Sequence, residues 1–431
     1  MRANSTTMSD PFAAPPPSRV SASRLVVATS IGNTLEFFDL LVYVYFATTL
    51  ARTFFPLQDA TASLLLTLGT FAVSYLARPI GALALGSYSD RKGRKAALTL
   101  SITLMTLGTG MVAVIPPYAT IGLLAPIGIF ISRLLQGFSA GGEFGSSTAF
   151  LIEHAPARKG FIASWQFSSL GASNLLASGF GVLLTSQLSP DDLNAWGWRI
   201  PFLFGMLIGP IGLYIRSRID ETPEFERAEK SVSPVRELLA TQKARVLVAI
   251  GSTVLTTIAN YMVLYLPTYA SRQLGLAESA GFIATLTAGG IMMVLTPFVG
   301  HWSDKMGRAR IMLGAGTLFL VTVYPAFMFL NAQPSVPTLL AVVIWIALLK
   351  VTYFAPVPAL MAELFPTRTR TTGVALGYNI GTTVFGGLTP LVIASLIATT
   401  GSNLAPGLYL MLGAAISLLT LGWARARLAV R

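Results

Sequence analysis

The stretch Gly86-Ser-Tyr-Ser-Asp90-Arg91-Lys92-Gly93-Arg94-Lys95 recurs at Gly300-His-Trp-Ser-Asp304-Lys305-Met306-Gly307-Arg308-Ala309-Arg310. Gly, Asp, Gly and Arg match in register at an offset of 214 residues (304 minus 90). Each copy closes one long apolar segment and opens the next. A second echo supports the first. Glu153-His-Ala-Pro156-Ala-Arg158 returns as Glu363-Leu-Phe-Pro366-Thr-Arg368, at an offset of 210 (363 minus 153). Two basic connections repeated at nearly the same interval predict two copies of one unit, with any shared site between them at mid-depth.

Composition says what kind of unit this is. Of the 431 residues, 53% are hydrophobic and only 11% charged; a soluble globular chain carries about 25% charged residues. A lipid-facing surface accounts for the deficit. There is no cysteine, and the two histidines, His154 and His301, lie by loops without clustering. A thiolate metal centre, a disulfide framework and a nucleophile–base enzyme site at membrane depth are therefore not expected, nor is a cofactor. The formal charge of +12 admits either nucleic acid or a membrane protein with basic loops.

The distribution of charge separates these. Spans of about 20 apolar residues are predicted near 25–48, 62–87, 97–115, 119–152, 160–187, 199–216, 246–270, 279–302, 310–331, 337–362, 372–399 and 405–424. The expected organisation is a polar, Pro-rich tail (1–23), a six-helix half (24–216), a charged cytoplasmic linker (217–245), a second six-helix half (246–425) and a short C-tail (426–431). On that reading 24 of the 30 Lys and Arg residues fall on the side of the two termini. The excess of positive charge makes that side cytoplasmic and leaves no role for nucleic acid. The fold class is thus an all-α integral membrane protein with twelve transmembrane helices in two parallel halves. Gly93 and Gly307 are placed for a turn closed to other residues. Asp90 is expected to end the second helix, where the helix dipole disfavours an anion. It should therefore serve a neighbouring helix N-terminus or pair with Arg94.

The pattern G-x-x-x-D-R-x-G-R-K at 86–95 resembles the signature of the major facilitator superfamily. Further stretches resemble its metabolite:proton symporter branch: Gly32-Asn33-Thr-Leu-Glu36-Phe-Phe-Asp39, Arg78-Pro79-Ile-Gly81, Arg133-Leu-Leu-Gln136-Gly137-Phe-Ser-Ala-Gly-Gly-Glu143, Trp196-Gly-Trp198-Arg199-Ile-Pro201-Phe and Glu221-Thr-Pro223-Glu-Phe225. Ala51-Arg52-Thr-Phe-Phe-Pro56, Lys159-Gly160-Phe-Ile-Ala-Ser164-Trp165-Gln166 and Phe385-Gly-Gly-Leu-Thr-Pro390 are most similar to the citrate/tricarballylate symporters. Phe37 and Phe38 stand where the branch usually has Trp and Tyr, Lys305 replaces Arg, and Lys350 has no counterpart in the pattern. The resemblance implies a bacterial inner-membrane carrier, monomeric, driven by the proton gradient, with sodium the alternative coupling ion. The same branch includes carriers of 2-oxoglutarate, shikimate, aromatic acids and zwitterionic osmoprotectants. The last carry a long charged C-terminal tail, which the 426–431 segment does not match.

Charges inside the predicted spans mark the working part, because each costs roughly 2.5–3.5 kcal/mol at mid-bilayer. Glu36 and Asp39 share a face of the first helix with Asn33 and Tyr43, about 16 Å from its start at 1.5 Å per residue. The fourth helix presents Arg133, Gln136 and Glu143. Glu36, Asp39 and Glu143 are candidate proton carriers: burial favours the neutral acid and a neighbouring guanidinium the anion. Arg133 is expected to pair with a carboxylate of the first helix in the empty state; a purely structural pair is the alternative. Arg133 and Lys350 lie in opposite halves, so an anion held by both would bridge them, with Arg78 a further candidate cation. Gln166, Ser169, Asn174, Tyr261, Tyr265, Tyr353, Tyr378, Asn379 and Thr382 could line the cavity or join helices. Gly86, Asp90, Arg91, Gly93 and Arg94, with Asp304, Gly307 and Arg308, are read as a cytoplasmic gate.

Overall fold

A computed structural model describes residues 22–217 and 233–428. Most of the expected N-tail, the linker between 218 and 232, and residues 429–431 lie outside the described residues. Among the described residues every regular element is helical. The long helices are α1 (Ala22–Tyr45), α2 (Ala60–Lys92), α3 (Arg94–Val114), α4 (Leu124–His154), α5 (Lys159–Gln187), α6 (Arg199–Ser217), α7 (Lys243–Arg272), α8 (Glu278–Met306), α9 (Arg308–Ala332), α10 (Val336–Phe354, continued by Val357–Leu364), α11 (Arg370–Gly381, continued by Thr389–Thr400) and α12 (Ala405–Leu428). Seven apolar stretches among them are long enough to cross a bilayer by length and composition, which makes this a multi-pass membrane protein. α1 carries Asn33, Glu36 and Asp39, and a π-turn at Thr382–Gly386 splits α11.

The repeated basic stretch is not a loop. α2 runs through Asp90 to Lys92, five residues past the end expected near 87. Arg91 and Lys92 suit the negative end of the helix dipole. Gly93 alone separates α2 from α3, at φ 112°. Gly307 does the same between α8 and α9, at φ 90°. Only glycine adopts such angles without strain. Other spans read as single helices are broken. α10 turns at Ala355–Pro356, where Pro356 and Pro358 lack N–H donors.

Helices approach closely where glycine removes the side chain. A Cβ on Gly137 of α4 would lie 2.0 Å from the carbonyl oxygen of Ser74 in α2. One on Gly81 would lie 2.0 Å from the Phe138 carbonyl, and one on Gly141 2.1 Å from that of Arg78. The α2–α4 crossing therefore fixes the backbone that carries Arg78. The same device joins α1–α6 to α7–α12: a Cβ on Gly160 of α5 would lie 2.6 Å from the Gly300 carbonyl of α8, and one on Gly171 2.7 Å from that of Gly289. Without lipid-excluding pressure between helices, such van der Waals contact is what holds them.

Gly137→Val should abolish recovery of monodisperse protein, because the obstructing atom is backbone and cannot yield; overpacking costs roughly 1–3 kcal/mol even where side chains can move. Gly290→Ala, with nothing within 4 Å of its added methyl, should leave the elution profile and thermal midpoint near those of the parent chain.

Candidate functional site

Glu36 and Asp39 sit three residues apart on α1, so their side chains diverge by about 60° around the axis and meet different helices. Glu36 Oε1 lies 3.1 Å from Nη2 of Arg78 on α2. Asp39 Oδ2 lies 2.9 Å from Nη2 of Arg133 on α4. All four are buried. Each guanidinium also stacks on a ring, Arg78 at 4.4 Å from the Tyr75 centroid and Arg133 at 4.1 Å from that of Tyr43. Neither Nε–H has an acceptor among the described residues. A guanidinium offers five donors in a fork, so each arginine retains capacity beyond its present carboxylate.

Lys350 on α10 differs from both. Its Nζ donates to Oδ1 of Asn260 on α7 at 2.8 Å and lies 5.0 Å from the Phe354 ring. It is only 4% exposed, and no carboxylate pairs with it among the described residues. An ammonium in that setting has lost water and gained only a neutral oxygen, so an arriving anion gains most there.

Two adjoining spaces lie between α1–α6 and α7–α12. One, a narrow space of about 40 Å³, is bounded by Phe37, Leu170, Asn174, Asn260, Tyr261 and Lys350 among others. The second, of about 10 Å³, is bounded by Arg78, Thr257, Tyr378 and Thr382, and shares Phe37, Leu170, Asn260 and Tyr261 with the first. Lys350 and Arg78 thus face one composite cavity from opposite sets of helices. The hydroxyls of Tyr75 on α2 and Tyr261 on α7 bond to each other, and Thr383 Oγ1 donates to the Tyr75 carbonyl at 3.0 Å.

The basic end of the bundle is closed by two matching clasps. Asp90, at the end of α2, accepts from the backbone N–H of Thr371 (3.2 Å) and Thr372 (2.9 Å) and from Thr372 Oγ1 (2.7 Å), at the N-terminus of α11. Arg94 binds Asp90 at 2.8 Å and Glu153 through two nitrogens. It also donates to the Thr367 carbonyl at 2.7 Å. Arg370 reaches the same Glu153 at 2.7 Å. In the second copy, Asp304 at the end of α8 accepts from the N–H groups of Gly160 (2.7 Å) and Phe161 (3.0 Å), at the N-terminus of α5. Arg308 binds Asp304 at 3.0 Å and Glu363 at 2.9 Å. Each carboxylate so meets the positive end of a helix from the other set. Both roles expected for Asp90 coexist.

The Major Facilitator Superfamily description matches residues 29–390. The chain belongs to that superfamily. The citrate-proton symporter of Klebsiella pneumoniae is 37% identical to it over all of this chain and 97% of its own length. That of Salmonella typhi is 36% identical over 93% of each. Among solved structures, a proton:xylose symporter bound to 6-bromo-6-deoxy-D-glucose superposes with a TM-score of 0.77 over 94% of this chain and 95% of its own, at 16% identity. That likeness concerns the fold.

In this major facilitator the remaining candidates serve helix contacts. Arg133 lines neither space. Asn33 donates to the Gln166 carbonyl and to Ser169 Oγ, both at 2.6 Å. Gln166 donates to Ser147 and Thr148, and Gln136 to Thr109. Tyr43 donates to the Thr67 carbonyl, Tyr353 to that of Ser252, and Asn379 to that of Gly141. Glu143 accepts from Ser101 at 2.6 Å. Tyr265 packs, half-buried, beside the main core of α7–α12. Arg91 is exposed and, among the described residues, bonds locally to Ser87, whereas Gly86 abuts Thr372 of α11. Sequence reasoning passed over Asn260 and Phe37 as cavity residues. A signal existed for Asn260, an amide in the middle of the apolar span Lys243–Leu266.

Asp90→Asn should open the basic end. It removes charge-assisted bonds of roughly 1.5–3 kcal/mol each, so spin labels at Lys92 and Lys305 should show a long-distance population raised roughly tenfold or more. The chain has no cysteine, so a cysteine pair introduced at these two positions carries the labels alone. An unchanged distance distribution would remove the clasp from the gating account.

Proposed function

We propose that the chain is a secondary active transporter that takes up citrate or a closely related di- or tricarboxylate with protons, by alternating access between two six-helix halves, 24–216 and 246–425, joined by the 217–245 linker. The basic end then faces the cytoplasm, both termini lie there, and the membrane is the bacterial inner membrane. The observation that carries the reading is the composite cavity between Arg78 and Lys350. It sets two cations on opposite halves, one of them paired with an acid and the other with a neutral amide. The citrate-proton symporters that match this chain along its full length support the substrate class.

The residues act as follows. With the basic end clasped, a carboxylate entering the cavity meets Lys350 first, because that ammonium has no competing acid. A proton taken by Glu36 weakens its hold on Arg78. The freed guanidinium turns its fork to a second carboxylate of the same substrate. An anion gripped from both halves draws them together, and the strain falls on the Asp90 and Asp304 clasps. When these open, release to the cytoplasm follows loss of the proton from Glu36, which reclaims Arg78. Asp39 and Arg133 form a second pair behind Tyr43 that can couple a further proton. Glu143, beside Ser101, stands closer to the gate. This scheme puts Arg78 where the sequence had favoured Arg133, because Arg78 borders the cavity.

Purified protein in liposomes should accumulate labelled citrate only under an inward proton gradient. Lys350→Ala, losing one charge-assisted contact, should raise KM roughly ten- to a hundredfold. Glu36→Gln should abolish gradient-driven accumulation while citrate exchange across the same vesicles persists. No uptake of any di- or tricarboxylate would overturn the reading; accumulation by the Glu36→Gln chain equal to the parent would remove Glu36 from the coupling step.

A further inference from the structure

We infer a second binding site, for the phosphate headgroup of an anionic phospholipid, in the pocket at the basic end bounded by α8, α9 and α12. It is bordered by the run Ser303–Arg308, by Arg310 and by Arg425, and holds about 530 Å³. Four cations border it, Lys305, Arg308, Arg310 and Arg425, against one carboxylate, Asp304. That carboxylate is already bonded to Gly160, Phe161 and Arg308. Arg308 is also held by Glu363. Lys305, Arg310 and Arg425 are exposed and have no acid partner among the described residues. Concentrated positive charge around a pocket calls for an anion, and guanidinium forks suit phosphate oxygens.

The surroundings favour a lipid as the source. Trp302 on α8 is 58% exposed and Trp423 on α12 is 47% exposed, each within three residues of a pocket cation. Exposed tryptophan marks the level at which a helix leaves the hydrocarbon for the headgroup layer. Met306, bordering the pocket, is 56% exposed and offers an apolar rim for acyl chains. A phosphodiester at that depth would reach Lys305, Arg310 and Arg425 while its tails stayed in the bilayer. Asp304, Gly307 and Arg308 also form the second clasp, so a seated headgroup bears on gating. The inference does not depend on which anion is transported.

The test is native mass spectrometry of the full chain titrated with phosphatidylglycerol, phosphatidylcholine or inorganic phosphate. Phosphatidylglycerol should bind and phosphatidylcholine should not. Lys305→Gln, Arg310→Gln and Arg425→Gln should each weaken the adduct roughly fivefold, the factor for one basic residue near an anionic surface. Lys305→Arg should retain it, which separates lost charge from lost folding. Arg427→Gln, on the same helix end but outside the pocket, should leave binding unchanged. Three results would overturn the site: equal binding of phosphatidylcholine, equal weakening by Arg427→Gln, or displacement of phosphatidylglycerol by inorganic phosphate.

Discussion

A carboxylate at the end of one helix, held against the N-terminus of a helix from the other set, is the constraint around which this molecule is arranged. Asp90 does this to α11 and Asp304 to α5. At the end of its own helix each anion faces the negative pole of the dipole, which is unfavourable. The cost is offset by an arginine four residues on, beyond a one-residue glycine turn, and by the bare N–H groups opposite. That explains why glycine, acid and arginine recur as a set. Gly93 and Gly307 bring the next helix close enough for Arg94 and Arg308 to turn back. Without the acid the arginines would crowd the N-termini of α11 and α5.

The two clasps differ in solvent exposure. The Arg94–Asp90 and Arg94–Glu153 contacts are fully buried. Arg308 is 14% exposed against Asp304 and Glu363, the latter at 37%. Buried pairs are strong only while every partner is present, and lose several kcal/mol when one leaves, whereas wetter pairs are screened and weaker. If the clasps gate, the first is the all-or-none lock. The second responds more gradually to its surroundings, including charge at the neighbouring basic pocket. One motif, copied twice, has taken two mechanical characters through burial alone.

The architecture was readable in the sequence because lipid imposes a narrow rule: apolar stretches of set length separated by basic turns. The internal repeat added the pairing of elements. Residue pairs were not readable to the same depth. Glu36 and Asp39 belong to one helix face by spacing, yet the 60° between them sends Glu36 to Arg78 and Asp39 to Arg133. Which arginine reaches the cavity depends on the crossing of α2 over α4, set by Gly81, Gly137 and Gly141, and no periodicity encodes that. Asn260 was missed for a related reason. An amide in an apolar helix draws notice as helix glue, and its worth as the neutral partner of Lys350 emerges only when α7 and α10 lie side by side.

In the proposed scheme, charge balance ties proton to substrate. Arg78 and Arg133 already have acids; Lys350 has a neutral amide. One carboxylate can neutralise Lys350 without disturbing anything else. A second carboxylate on the same molecule has no free cation and must compete with Glu36 for Arg78. In a dry cavity that competition sets two anions against one guanidinium, which low dielectric makes prohibitive. Adding a proton to Glu36 removes the conflict. The arrangement therefore favours anions with at least two carboxylates when a proton accompanies them, and a monocarboxylate could occupy the Lys350 side without engaging the Glu36–Arg78 pair at all. On that scheme coupling is a property of substrate length. Only a molecule that reaches from α10 to α2 makes the state of Glu36 matter.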